Sequence, residues 1–178
     1  MNNLFLTGEK GIGKSTILKR VLNNCSMSIG GFMTLRNIEE DIYNKKVFMI
    51  YSLNDESRKH NIATITFKDN KNHIEINKDS FDIGIVSILK EDLNNSDLII
   101  LDELGFMESE CFEFQKTIYD ILDSSKPVLG VIKDYDCEFL DNIRNRIDTN
   151  IIKVTKENRD NLVESILNTL VSFNKNFK

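Results

Sequence analysis

The chain has 178 residues, of which 40% are hydrophobic and 29% charged, the usage of an ordinary globular protein and not of a collagen-like, low-complexity or disordered one. Its 23 basic residues against 28 acidic ones leave a formal charge of −5, which argues against a nucleic-acid binder, since such proteins carry a basic stripe or a high pI. The cysteines Cys25, Cys111 and Cys137 are far apart and form no CxxC pair, so reduced thiols are expected in place of a disulfide frame or a zinc site.

A single domain over 1–178 is the expectation for this length. Asn2 to Thr7 is a short apolar run that stops at glycine and suits a buried first strand. Thr16 to Leu22 places Ile17, Leu18, Val21 and Leu22 at helical spacing. From about residue 30 to 77 the texture turns β-rich. Val47 to Leu53, Ile62 to Phe67 and His73 to Asn77 read as strands, and Asp69-Asn70-Lys71-Asn72 as the turn of a hairpin. This stretch is expected to be an antiparallel insertion. Strand and helix then alternate: helix at 81–93, strand at 97–101, helix at 108–122, strand at 128–132, helix at 139–147, strand at 150–154 and helix at 161–173. Such alternation predicts a mainly parallel sheet with helices on both faces. Its chemistry belongs at the carboxyl ends of the strands, after Thr7, Leu101, Ile132 and Val154.

No stretch approaches the roughly 18 uninterrupted apolar residues of a membrane span. The opening run is too short for a secretory signal and lacks a basic start. A cytoplasmic protein without a membrane partner is the expectation.

The most informative segment is Gly8-Glu9-Lys10-Gly11-Ile12-Gly13-Lys14-Ser15, a complete G-x-x-x-x-G-K-[ST] between a strand and an amphipathic helix. Glycines let successive N–H groups turn inward and form a nest for anionic oxygens. The helix start adds its positive dipole end. Lys14 is then expected on the β- and γ-phosphates and Ser15 on Mg²⁺, with Gly8 through Thr16 forming the nucleotide contact. A dinucleotide fingerprint fails, because Thr16 stands where its last glycine or alanine is needed.

Asp97-Leu98-Ile99-Ile100-Leu101-Asp102-Glu103 is an apolar strand ending in two acids. In a phosphate-loop enzyme, a carboxylate here holds Mg²⁺ beside the loop hydroxyl. Asp102 is the candidate for that role, and Glu103 for orienting or deprotonating the attacking water. Asn158 and Arg159 follow the last strand and are candidates to border the base or ribose. Lys133 lies at the ligand end of the sheet, and Arg144 and Arg146 are further cations available to a phosphoryl group. His60 and His73 have no Ser or Cys partner in view and are given no chemistry.

These residues together resemble the small phosphate-loop nucleoside-triphosphatases of the thermophilic NTPase family. The similarity runs through the opening Leu4 to Ser15 and through Gly31-Phe32-Met33-Thr34. It continues in Leu101-Asp102-Glu103-Leu104-Gly105-Phe106-Met107-Glu108, in Ile143-Arg144-Asn145-Arg146 and in Val154-Thr155-Lys156-Glu157-Asn158-Arg159. Tyr43 to Phe48 and Lys133 to Asp136 depart from the forms usual in the family. The resemblance implies a RecA-like domain that hydrolyses ATP, GTP, CTP and UTP with Mg²⁺ and little base preference, with Asp102 at the metal and Glu103 activating water. Two other functions fit the phosphate loop: a small-molecule kinase, and a nucleotide-gated binding module. A guanine-specific switch lacks its N-K-x-D, since Asn77-Lys78-Asp79-Ser80 misses the final acid.

Overall fold

The computed structural model describes residues 2–69 and 71–175. Eight strands share one sheet in the order β5-β4-β3-β2-β6-β7-β1-β8. Strand β1 (Asn3–Thr7) leads into α1 (Lys14–Asn24), followed by β2 (Ile29–Arg36), β3 (Lys45–Ser52), β4 (Lys59–Lys68) and β5 (Lys71–Ile76). A π-helical segment (Ser80–Ile85) then runs directly into α2 (Val86–Asn95). The remaining elements are β6 (Leu98–Leu104), α3 (Phe112–Leu122), β7 (Val128–Ile132), α4 (Glu138–Arg144), β8 (Thr149–Lys153) and α5 (Leu162–Lys175).

Strands β8, β1, β7, β6 and β2 are parallel neighbours. Their apolar runs alternate between two cores, as burial on both faces requires. Leu4, Leu6, Leu98, Ile100, Leu129 and Val131 face the side carrying α1 and α5, packed against Ile17, Leu18, Val21, Ile166 and Leu170. Phe5, Ile99, Leu101, Val128 and Ile132 face the opposite core, which holds Ile85, Leu89, Phe114, Ile118 and Leu140. Phe114 anchors that core, with ring centroids 6.0 Å from Phe32, 5.2 Å from Phe81 and 6.5 Å from Phe139.

The β-rich stretch divides differently from the reading above. Strand β2 is parallel to β6 along Ile29 to Met33 and antiparallel to β3 along Phe32 to Arg36, so it joins the parallel part of the sheet to the antiparallel strands β3 to β5. Gly31 makes the seam possible. Its φ is +98°, and a Cβ there would lie 2.0 Å from the Ile100 carbonyl oxygen, so only glycine fits. Asp92 of α2 pins the same point, accepting from Gly31 N at 2.6 Å and from Asn54 Nδ2 at 2.6 Å. Strands β4 and β5 pair from Ala63↔Ile76 to Lys68↔Lys71, as the hairpin reading requires. Asn70, in its expected turn, lies outside the described residues.

Two predicted helices are shorter than their hydrophobic pattern. Helix α3 starts at Phe112 and not at Glu108, because Glu108 turns inward to accept the Gly105 N–H at 2.9 Å. Helix α4 stops at Arg144. Beyond it, Arg146 is drawn to Asp148 at 2.7 Å and Asp123 at 2.7 Å, and Ile147 is left exposed. Strand β6 is longer than expected and carries both acids, Asp102 and Glu103, within its last turn of pleat. Among the described residues no helix is long and apolar enough to cross a membrane.

Candidate active site

The loop between β1 and α1 is built on backbone alone. Gly8, Gly11 and Gly13 have φ of +133°, +82° and +114°. A Cβ on Gly8 would meet the Val154 carbonyl at 2.8 Å, whereas Gly11 and Gly13 face open space. Helix α1 then begins with no side-chain cap and no acid in its first turn. Its leading N–H groups and its dipole therefore point at the loop without an internal anion to satisfy them. Lys14 folds back over the loop, donating to the carbonyls of Gly8 at 2.6 Å and Glu9 at 3.0 Å. Ser15 and Thr16 stand exposed on the first turn.

Across the cleft lie the two acids. In the sheet, β7 sits between β1 and β6, which sets the loop and the acids about two strand spacings, roughly 10 Å, apart. The peptide joining Asp102 to Glu103 is cis. Asp102 is buried at 2% exposure, and its Oδ1 has no hydrogen-bond partner among the described residues. Burial, reinforced by the neighbouring Glu103 charge and opposed by Lys19, Lys14 and Lys133, pushes its carboxyl up to about 7. Glu103 N–H donates to Thr34 Oγ1 at 3.3 Å, which ties the acid to β2. Its carboxylate lies 3.8 Å from Lys133 Nζ.

The loop and Glu103 open onto one cavity of about 780 Å³, which Asp102 does not line. The glycine loop with Lys14, Ser15 and Thr16 forms one wall, and Glu103, Phe106, Met107, Lys133, Asp134 and Tyr135 form the other. Phe48 of β3 and Ile65 of β4 close its far end. Phe106 and Tyr135 lean together with centroids 5.7 Å apart. Ile12 does not line this space. It packs beneath the loop against the core of α1 and α5.

The candidate residues after the last strand serve the backbone. Asn158 Oδ1 accepts from Thr155 N at 2.9 Å, and its Nδ2 donates to the Lys153 carbonyl at 2.9 Å. That turn lies against the loop, since Val154 N donates to the Thr7 carbonyl at 2.8 Å. Arg159 is half-exposed and 3.7 Å from Asp160. Neither lines the cavity. Of the other arginines, Arg144 donates to the carbonyls of Lys133 at 2.5 Å and Tyr135 at 2.9 Å, and Arg146 is held by Asp123 and Asp148.

Glu108 is a buried acid beside this site that the sequence pattern does not single out. It is wholly enclosed, and burial pushes its carboxyl up to about 7 against the help of the Gly105 N–H and Lys133. Its signal was the acid at the start of an apolar helical pattern, where a solvated first-turn residue is the ordinary interpretation.

A magnesium ion fits this donor set. Asp102 offers a buried carboxylate with one oxygen unpartnered, an arrangement that a cation would relieve. Among the described residues no three His, Cys, Asp or Glu side chains form a cage by themselves.

A glycine loop opening a helix beside an acid-tipped parallel strand defines a phosphate-loop nucleotide-binding protein of the α/β class. The comparisons sharpen that class. A family model described as NTPase matches residues 3–167, and the chain belongs to this family of nucleoside-triphosphatases. It is 33% identical over 181 residues to nucleoside-triphosphatase THEP1 of Thermotoga sp. (strain RQ2), covering 98% of each chain. It is 30% identical over 176 residues to the protein of that name from Methanocaldococcus jannaschii, covering 95% of this chain and 97% of the relative. The crystal structure of THEP1 from the hyperthermophile Aquifex aeolicus superposes with a TM-score of 0.77 at 26% identity, over 96% of this chain and 99% of that one.

Proposed function

We propose that this chain hydrolyses nucleoside 5′-triphosphates, ATP, GTP, CTP and UTP alike, to the diphosphate and phosphate in a Mg²⁺-dependent reaction with water as the nucleophile. One observation carries the reading: Glu103 opens into the same cavity as the glycine loop, and it follows Asp102 in the chain, whose buried carboxylate keeps one oxygen without a partner among the described residues.

The N–H groups of residues 8–15 cradle the phosphate chain, and Lys14 adds a positive charge where negative charge develops on the terminal oxygens. Asp102 and the Ser15 hydroxyl would hold the magnesium ion, which when bound neutralises charge on the β- and γ-phosphate oxygens. Glu103 orients a water molecule and accepts its proton as the water oxygen bonds to the γ-phosphorus. The bond from that phosphorus to the β–γ bridging oxygen breaks, and the diphosphate leaves. The apolar surfaces of Phe106 and Met107 line the same cavity as Glu103 and lower the water content around the reacting centre. Backbone contacts to phosphate carry no information about the base, which supports activity on purine and pyrimidine triphosphates.

Phosphate release from ATP, GTP, CTP and UTP, with no acceptor added, tests this directly. The wild type should turn over all four. Glu103→Gln should bind nucleotide at wild-type affinity and lose about 10²- to 10⁴-fold in turnover. Hydrolysis by Glu103→Gln at the parental rate removes its role, and consumption that begins only when a hydroxyl acceptor is supplied replaces hydrolysis with a kinase reaction.

A further inference from the structure

One cation in the cavity comes from outside the phosphate loop. Lys133 follows β7, the strand lying between the loop strand β1 and the acid strand β6, so its side chain stands between the two halves of the site. Its backbone is fixed: Lys133 N–H donates to the Leu104 carbonyl at 2.9 Å, and Arg144 grips the Lys133 carbonyl at 2.5 Å and the Tyr135 carbonyl at 2.9 Å. Its stem is channelled as well, because a Cβ on Gly105 would lie 2.7 Å from Lys133 Cδ.

The Lys133 ammonium is loosely held. Glu103 Oε2 is 3.8 Å away, beyond hydrogen-bond reach, and the Phe106 ring centroid is 5.3 Å away. Lys14, in contrast, makes two hydrogen bonds to loop carbonyls. Three acids, Asp102, Glu103 and Glu108, bear on Lys133, and a terminal phosphate arriving among them needs a cation on that side.

We propose that Lys133 recognises the terminal phosphate: a triphosphate draws its ammonium from the Glu103 carboxylate onto a γ-phosphate oxygen, which fastens the nucleotide and leaves Glu103 free to take the proton of water. The inference rests on the hydrolysis reading above and adds to it the element that separates triphosphate from diphosphate. A diphosphate ends short of Lys133 and leaves the Lys133–Glu103 pair in place.

The test is the binding of ADP and of the non-hydrolysable analogue AMP-PNP, in Mg²⁺, to wild type, Lys133→Met and Lys133→Arg, together with phosphate release from ATP. Lys133→Met should lose about ten- to hundredfold in AMP-PNP affinity, the worth of one charge-assisted hydrogen bond. Its ADP affinity should stay within about twofold, and KM for ATP should rise as the AMP-PNP affinity falls. Lys133→Arg, which keeps the charge, should hold most of the preference for the triphosphate. Equal losses for both nucleotides would make Lys133 a structural partner of Glu103 alone, and an unchanged preference in Lys133→Met would remove it from the site. Both results overturn the assignment while wild-type hydrolysis stands. A wild type that neither binds nor hydrolyses nucleotide defeats the underlying reading instead.

Discussion

The two halves of the sheet are built by different rules. In the parallel half, β1, β6 and β7 are buried on both faces, and the cavity is lined by Gly8 just after β1, Glu103 near the end of β6 and Lys133 just after β7. In the antiparallel wing, β4 is half-buried and β5 largely exposed. Among the described residues the wing contributes only Phe48 and Ile65 to the cavity, and neither carries a charge. Parallel strands all end at the same side, so their following loops converge, and a crossover helix start lies at that edge to meet an anion. Antiparallel strands send alternate loops to opposite ends and concentrate no chemistry. The difference teaches that the reaction belongs to strand ends, with the wing acting as a wall.

The largest expected effect tests the parallel half. Lys14→Ala removes the cation that covers the loop carbonyls, and phosphate release should fall about a thousandfold. A loss below about tenfold breaks the comparison, because the loop backbone would then suffice without its lysine. The next effect falls on the seam between the halves. Gly31→Ala forces a Cβ to within 2.0 Å of the Ile100 carbonyl at a φ of +98°. Urea unfolding should show a loss of about 3 kcal/mol or more, and Asp92 cannot compensate because its hydrogen bond goes to the Gly31 backbone. A change under about 1 kcal/mol would mean that β2 and β6 can separate without harm.

Third is the buried acid of the parallel half. Glu108 has its folded carboxyl at about 7, against an ordinary 4.5. Below about pH 4.5 both folded and unfolded chains hold the proton. Between there and pH 7 only the folded chain keeps it, so stability declines as pH rises through that window and levels off above it. The decline from this group is on the order of 3 kcal/mol. Asp102, also raised to about 7, adds a decline of the same sign in the nucleotide-free protein. Glu108→Gln keeps an acceptor for the Gly105 N–H and removes one of the two contributions. Relative to wild type it should therefore gain more at pH 8 than at pH 5 in urea titrations. An equal difference at both values would place the proton elsewhere.

What the sequence revealed follows the same division. The phosphate loop is eight contiguous residues whose chemistry is fixed by spacing, and Asp102 and Glu103 close an apolar run long enough to be a buried strand. Both were legible because each signal is local. The parallel pairing of β2 was not, since it depends on Gly31 meeting Ile100, a contact between residues far apart in the chain. Glu108 sits in an apolar pattern that a helix would continue, and only the Gly105 N–H explains why the helix waits until Phe112. Asn158 stood out as polar at a strand end, yet both its polar atoms are taken by the backbone around Thr155. Arg144 offered a charge, and the fold uses that charge to hold the carbonyls of the loop carrying Lys133.

The smallest effect is the one that isolates the wing. Phe48 lines the cavity and also packs against the core beneath it, so truncation to alanine would mix two losses. Phe48→Leu keeps the apolar volume and removes only the ring face. Since the wing presents no donor, acceptor or charge to the phosphates, this variant should shift KM for ATP by no more than about threefold, within the worth of one aromatic contact. It should leave kcat unchanged. A fall in kcat with KM preserved would mean that the ring acts in the transition state, through water exclusion around Glu103 or placement of the attacking water. In that event the wing would belong to the machinery, and the boundary between reacting strand ends and inert wall would have to move outward from β6 to β3.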